Sequence, residues 1–323
     1  MKTIQTIQLP GIPFPVSQVC LGTAYLGSRE DLETSFAILD TYYECGGRFL
    51  NTAHEYGDGL SEKTIGKWVR ERGVRDQVIV TSKCGEDHSK PMARAMHPDE
   101  LREDIDETLS RTGFDYVDFY LLHIDDPDLP VSDIVGTMNE LRKEGKIRYY
   151  GCSNWSVKRM EEAAAWADAN GCPRFVMDEI EMNLTRRNTV NHESIDKWMD
   201  GEYIEYHQRT GMPAAAYSPV SNAILSKYLR DGGTQAWNEH QIRTYLNDYN
   251  FEAARRVGKL AQETGYSPTQ LQLAFILAQP YGFPCFPILG ARNVAQLKDS
   301  LGGLDCPMTQ DMIDYLTFKE EKA

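Results

Sequence analysis

Short apolar runs rich in β-branched and aromatic residues alternate with longer stretches of helical periodicity from Val16 almost to the end of the chain, and this repetition limits the fold more than any other feature. Strands are predicted over approximately Val16 to Cys20, Arg48 to Asn51, Val78 to Lys83, Tyr116 to Leu122, Ile147 to Cys152, Phe175 to Ile180, Ala214 to Tyr217 and Cys285 to Leu289. Between them lie segments such as Pro98 to Arg111, where Leu101, Ile105 and Leu109 recur every four residues with charges on the other face. Helix starts are predicted at Ser61, Ser132, Ser156 and Ser267, whose hydroxyls can cap free amides, with Pro268 in a first turn. Repeated βα units imply a parallel sheet, open or closed. No G-x-G-x-x-G follows the first strand, as it would in an open dinucleotide-binding sheet, so a closed barrel is preferred. The expected architecture is one (β/α)8 TIM barrel domain over residues 1–323, with an N-terminal β-hairpin in MKTIQTIQLPGIPFP and a C-terminal helical extension. Leu225 to Asn250 is weakly periodic and reads as a long loop with short helices over the barrel top.

The 323 residues are 41% hydrophobic and 25% charged, enough to bury a large core. A formal net charge of −14 argues against nonspecific binding to nucleic acid or anionic membranes. No apolar run approaches the roughly 18 residues of a membrane span. The N-terminus has no continuous apolar region of signal-peptide length. The 7 cysteines lack C-x-x-C or zinc spacing, and no H-E-x-x-H occurs, so reduced thiols, a cytoplasmic setting and no metal are expected. The sequence carries no sign of oligomeric state.

In a parallel barrel the functional groups gather at the carboxyl ends of the strands. Strand two is followed by NTAHEYG with Asn51, His54, Glu55 and Tyr56; strand three ends at Lys83; strand four ends at His123. Strand five gives Ser153, Asn154 and Trp155, and strand seven gives Tyr217 and Ser218. A Tyr, a Lys and a His on successive strand ends suit carbonyl reduction, in which a developing alkoxide must be protonated. Tyrosine, with a reference pKa of about 10, is a weak acid; a neighbouring ammonium favours its phenolate, and a histidine can orient the carbonyl.

The segments LGTAYLG, FLNTAHEYGDGLSEKTIG, VIVTSK, YVDFYLLHIDDP, LRKEGKIRYYGCSNW, AYSP and PILGARNVAQL together resemble an aldo-keto reductase, from Leu21 to about Leu301. The resemblance implies reduction of aldehydes and ketones with NADPH or NADH bound at the barrel top. It makes Tyr56 the acid, Lys83 its electrostatic partner and His123 the carbonyl-orienting group. Asn51 stands where the family has Asp. Asn can bond the ammonium but brings no charge, so Lys83 is expected to lose its ionic partner and shift toward its neutral form.

The same resemblance implies that Ser153 and Asn154 hold the nicotinamide carboxamide and that Tyr217, beside Ser218, stacks on the ring. Glu179 stands where the family has a carboxamide-binding Gln. Gly290, Ala291, Arg292 and Asn293 precede a helix and fit an adenosine-phosphate site, with Arg292 for a 2′-phosphate. Gln296 and Asp299 fit the adenine side, where Ser300 replaces the usual Asn. NADP(H) is therefore expected, with NAD as the alternative.

The expected mouth contains Tyr25, His54, Glu55, Glu86, Asp87, His88, Asp125, Asp126 and Trp155. Its polarity favours a small carbonyl substrate of sugar-like character over a steroid or long-chain aldehyde. The bland readings are a solvated loop histidine for His54 and His88, packing for Trp155 and helix capping for Asp125 and Asp126. Two other functions compete: a cofactor-binding sensor or accessory barrel with low turnover, like the potassium-channel β subunits of this superfamily, and a sugar-oxidising or epimerising enzyme with a recycled cofactor.

Overall fold

The computed structural model describes residues 3–87, 94–188 and 196–319. Strands β1 (Thr6–Ile7) and β2 (Val16–Ser17) form an antiparallel hairpin. Eight parallel strands then close a barrel: β3 (Cys20–Gly22), β4 (Phe49–Asn51), β5 (Ile79–Cys84), β6 (Val117–Leu122), β7 (Ile147–Ser153), β8 (Asp178–Glu181), β9 (Ala214–Tyr217) and β10 (Cys285–Gly290), with β10 pairing back to β3. Around them run α1 (Leu32–Glu44), α2 (Leu60–Arg72), α3 (Pro98–Thr112), α4 (Val131–Lys143), α5 (Val157–Ala169) and α6 (Gly201–Thr210). Between β9 and β10 come α7 (Ile224–Asp231), α8 (Glu239–Tyr245), α9 (Asp248–Thr264) and α10 (Pro268–Leu277). Helices α11 (Val294–Leu301) and α12 (Gln310–Leu316) follow the last strand. This is the (β/α)8 barrel with hairpin and C-terminal helices that the sequence pattern implies.

The two-residue period of the strands decides what faces the axis. Along β4, Phe49 joins Phe119 and Phe286 inside the barrel, Leu50 turns outward to Ile38 and Ile65, and Asn51 turns inward again. The Phe49 ring lies 5.7 Å from Phe119 and 5.3 Å from Phe286. Leu9, Ile12 and Val16 of the hairpin pack on this aromatic floor and seal the amino-terminal end. One side chain is missing from the interior for a reason: a Cβ at Gly151 would lie 2.5 Å from the Met177 carbonyl oxygen. Above the floor the next inward residues are Asn51, Lys83 and Glu179, so a polar layer sits on an apolar one.

Two strands and two helix starts differ from expectation. The first predicted strand divides, because Ser17 pairs with Thr6 in the hairpin whereas Cys20 begins the parallel pairing with Ile288. The sixth begins later, at Asp178, where it first pairs with both Cys152 and Ala214. Ser156 and Ser267 do cap helices, accepting from the Arg159 and Gln270 amides. Ser61 instead lies one residue inside α2, its buried hydroxyl 2.8 Å from both Thr23 Oγ1 and Thr52 Oγ1. Ser132 likewise lies inside α4, whose cap position is Pro130. Among the described residues no disulfide joins the cysteines. Among the described residues no helix is long and apolar enough to cross a membrane.

Candidate active site

Lys83, the last inward residue of β5, is wholly buried at the centre of the polar layer. Its Nζ donates to Asn51 Oδ1 at 2.8 Å, to the Thr52 carbonyl at 3.0 Å and to Tyr56 Oη at 3.2 Å. It also lies 3.2 Å from Glu179 Oε1. Burial is the largest single influence and opposes the ammonium, yet Glu179, Tyr56 and Glu55 together hold the Lys83 pKa above its ordinary value. The expected loss of an ionic partner is thus corrected: the carboxylate comes from strand β8 instead of β4. Tyr56 is a phenol in this setting, since burial raises its pKa, with the Lys83 ammonium pulling the other way and Glu179 and Glu55 adding to the rise. The Lys83 ammonium, by donating to the phenol oxygen, is the influence that works against this rise.

His123 sits edge-on to Tyr56, with ring centroids 5.9 Å apart. Its Nδ1 lies 2.8 Å from Glu55 Oε1 and 3.5 Å from Glu86 Oε1. Glu55 is thus the nearer of the two carboxylates and pairs with the ring when the imidazole is protonated. Burial is again the largest effect and opposes the charge, but Glu55, aided by Glu86, raises the imidazole pKa. His123 in turn draws the Glu55 pKa below normal against the larger opposing effect of burial, whereas burial leaves Glu86 above normal. These three side chains form a compact group, their nearest ligand-type atoms within 4.8 Å of one another.

The residues implied for the cofactor lie on neighbouring strand ends. Ser153 Oγ donates to the Glu179 carbonyl at 2.8 Å, and Asn154 Nδ2 donates to Ser153 Oγ at 3.1 Å. Asn154 adopts a left-handed backbone (φ 60°), and its Oδ1 accepts from Tyr217 Oη at 3.0 Å and from the Lys197 amide at 3.0 Å. Ser218, at φ 50°, turns the chain directly after Tyr217. Glu179 Oε2 accepts from Asn51 Nδ2 at 2.7 Å, so both its oxygens already have partners. Across the barrel top, Asn293 caps α11 by accepting from the Gln296 amide. Gly290 is exposed with open space where a Cβ would be, and Ala291 is buried behind it. Arg292 is exposed but tied to Glu30, Nε to Oε1 at 2.7 Å. Gln296 Oε1 accepts from the Arg292 amide, Asp299 accepts from Gln270, and Ser300 is buried.

Not every expected substrate contact reaches the mouth. His54 is buried, with Nε2 3.0 Å from Glu107 Oε2 and Nδ1 3.5 Å from Asp104 Oδ1, so it anchors the Tyr56 loop to α3. Trp155 is fully buried, its indole donating to the Ile124 carbonyl at 3.0 Å and its ring edge-on to Phe175. Asp125 is held by Arg159, and Asp126 lies 3.6 Å from Arg94. His88 lies outside the described residues. Tyr25 is exposed, with Arg29 over its ring, and Glu55 and Glu86 remain half-buried beside His123.

Three supporting groups were not singled out from the sequence. Arg111 donates to the His54 carbonyl at 2.9 Å and bridges Glu62 and Glu107, so it fixes the loop that carries Tyr56. Tyr245 Oη donates to Glu181 Oε1 at 2.5 Å, and Arg187 bridges Glu181 and Asp196, tying the end of β8 to the last turn of α8 and to the connection that follows the strand. Glu181 is two residues after Glu179, so the strand period was its available signal. A cavity of about 950 Å³ opens at the other end of the barrel, between the hairpin and α4 to α6, and shares no residue with the Lys83 cluster. Charge chemistry, not cavity size, locates the site.

The aldo/keto reductase family model matches residues 18–321. An aryl-alcohol dehydrogenase [NADP(+)] of Phanerodontia chrysosporium is 26% identical, covering 95% of this chain and 83% of that protein. A norsolorinic acid reductase of Aspergillus flavus is 24% identical over 92% of this chain and 76% of its own length. A putative voltage-gated potassium channel subunit beta of Schizosaccharomyces pombe is 27% identical over 94% and 87%. In fold, the chain superimposes with a TM-score of 0.76 on a thermostable aldo-keto reductase solved with the inhibitor epalrestat, at 24% identity and covering 98% of this chain and 99% of that one. With a closed barrel and a Tyr–Lys–His cluster at the ends of its strands, and with the family model spanning nearly its whole length, the chain belongs to the aldo-keto reductase family of oxidoreductases.

Proposed function

We propose that the protein is an NADP(H)-dependent reductase of small aldehydes or ketones, with hydroxyl-rich, carbohydrate-derived carbonyls as the favoured substrates. The observation that carries this reading is the Lys83 ammonium donating to Tyr56 Oη at 3.2 Å, next to His123. Tyr56 gives its proton to the carbonyl oxygen as negative charge develops there. Lys83 stabilises the phenolate left behind, and His123, favoured as an imidazolium, orients and polarises the same oxygen. The acidic pair Glu55 and Glu86 supplies acceptors for substrate hydroxyls, and Tyr25 an apolar face with a polar tip.

The donor set at the barrel top fits a nicotinamide dinucleotide: Ser153, Asn154, Tyr217 and Ser218 at one end, and Gly290, Ala291, Arg292, Gln296, Asp299 and Ser300 at the other. Such a cofactor, when bound, supplies the hydride for the carbonyl carbon. Arg292 must exchange Glu30 for a 2′-phosphate, so that exchange sets the preference for NADPH over NADH. In Arg292→Ala the dissociation constants of the two reduced cofactors should converge; an unchanged ratio assigns the discrimination elsewhere. The low-turnover reading, motivated by Asn51 and matched by the name of the channel-subunit relative, loses support because Lys83 keeps a carboxylate partner.

The test is steady-state oxidation of reduced cofactor with glyceraldehyde, a keto-sugar and benzaldehyde as substrates. Tyr56→Phe should lower the rate by about 10² to 10⁴. A rate equal to that of the unaltered protein removes Tyr56 as the acid, and a preference for benzaldehyde over both sugars rejects the substrate class.

A further inference from the structure

We propose that Glu179 is the counter-ion of Lys83 and that Asn51 is the group that aims it, so the carboxylate that keeps the proton-donating pair charged stands on strand β8. The inference rests on the Tyr56–Lys83 reading above but is tested separately from it. Among the described residues Glu179 makes the one ion pair of Lys83, 3.2 Å from Nζ. Its second oxygen accepts from Asn51 Nδ2 at 2.7 Å, while Asn51 Oδ1 accepts from the same Nζ at 2.8 Å. The three side chains close a ring in which Asn51 uses its donor toward the carboxylate and its acceptor toward the ammonium. An aspartate at position 51 could not do both, since an ionised carboxylate only accepts and would face Glu179 with like charge. The amide and the carboxylate therefore depend on each other: each residue is suited to its place only because of the other. The two departures from the family pattern, at 51 and at 179, become one exchange of charge across the barrel.

All three groups are buried, so the arrangement is consequential. Removing one member of a buried pair leaves an uncompensated charge, which costs far more than a surface pair is worth. Besides Glu179, the titratable groups facing Lys83 are Tyr56, Glu55, Glu86, His123 and Cys20; none of them makes an ion pair with Nζ among the described residues. Glu179 is accordingly a positioning residue. It acts through Lys83 on Tyr56.

The experiment compares the unaltered chain, Glu179→Gln, Asn51→Asp and the double exchange Asn51→Asp/Glu179→Gln, by thermal melting from pH 7 to pH 10 and by carbonyl reduction. Glu179→Gln should melt about 10 °C lower at pH 7. That deficit should shrink as pH rises, because a buried lysine without a counter-ion has a depressed pKa and the folded state then binds fewer protons than the unfolded one. Asn51→Asp alone, with two carboxylates in contact, should also melt lower. The double exchange returns a single carboxylate to the ring with an amide beside it, so it should recover the melting temperature, flatten the pH dependence and restore turnover to within threefold. Unchanged melting in Glu179→Gln, a deficit independent of pH, or a double exchange no better than either single one overturns the proposal. Melting needs no turnover. Absence of carbonyl reduction in the unaltered chain with the melting pattern intact would reject the proposed function and leave the ion-pair assignment standing.

Discussion

His123 lies between Glu55, Glu86 and the Lys83 ammonium, and the carboxylates prevail over both burial and the lysine, so its pKa is raised. An NMR titration of the His123 ring should therefore give a value above the ordinary 6.5. Glu55→Gln should move it down, since the closest opposing charge is removed. The sign for stability follows: a raised histidine pKa stabilises the folded chain fully below the unfolded value of about 6.5, and that gain is lost as pH rises through the folded value. A His123 pKa at or below the ordinary value would reject the ion pair. At this scale the sequence revealed a good deal, because Tyr56, Lys83 and His123 each follow from a strand end. It did not reveal the partner of Lys83, which lies 128 residues from Asn51 and meets it only when the barrel closes. Nor did it reveal that His54 and Trp155 turn away from the mouth, since a polar or amphipathic residue at a strand end can equally be held by a neighbouring helix.

The loop from β4 to α2 carries Tyr56, and its shape depends on α3. Arg111 reaches from the end of α3 to the His54 carbonyl and to Glu62, a carboxylate with no exposed side-chain surface. Gly59 has to be a glycine here: its φ is 77°, and a Cβ would lie 2.6 Å from Arg111 Cδ. Arg111→Ala removes the one cation paired with Glu62 among the described residues, and should cost about 3 to 5 kcal/mol by denaturant unfolding. Adding Glu62→Gln should recover part of that loss, because no buried charge is then left unpaired; a double variant as unstable as the single one would show that Arg111 acts by packing alone. The helical periodicity of α3 and the GLSEK segment were both legible, and the segment from Leu225 to Asn250 does contain α7, α8 and the start of α9. What periodicity could not show was the contact between elements. Ser61 illustrates it: a sound capping residue by type, it is used instead to bond Thr23 and Thr52 beneath the loop.

The whole barrel has an aromatic floor and a charged upper layer, and the hairpin at its base belongs to the first of these. Phe14 of the β1–β2 connection lies 6.2 Å from Phe119 and 5.9 Å from Tyr149, ring centre to ring centre, so the segment before the barrel packs directly on its interior. The sequence pattern anticipated the hairpin and the eight strands but assigned Val16 to the barrel, because Val16, Val19 and Leu21 carry an apolar pattern across Ser17 and Gln18 into β3 and only the pairing partners separate the two strands. If plug and barrel form one cooperative unit, Phe119→Ala should cost about 3 to 5 kcal/mol through the cavity it leaves. Phe14→Ala should cost less, since Phe14 is partly exposed, and the pair should couple by about 0.5 to 1.5 kcal/mol in a double-mutant cycle. Each variant should unfold in a single transition. Zero coupling, or an early transition confined to Phe14→Ala, would make the hairpin a separate cover, and the floor beneath Lys83 would then be built by the strands alone.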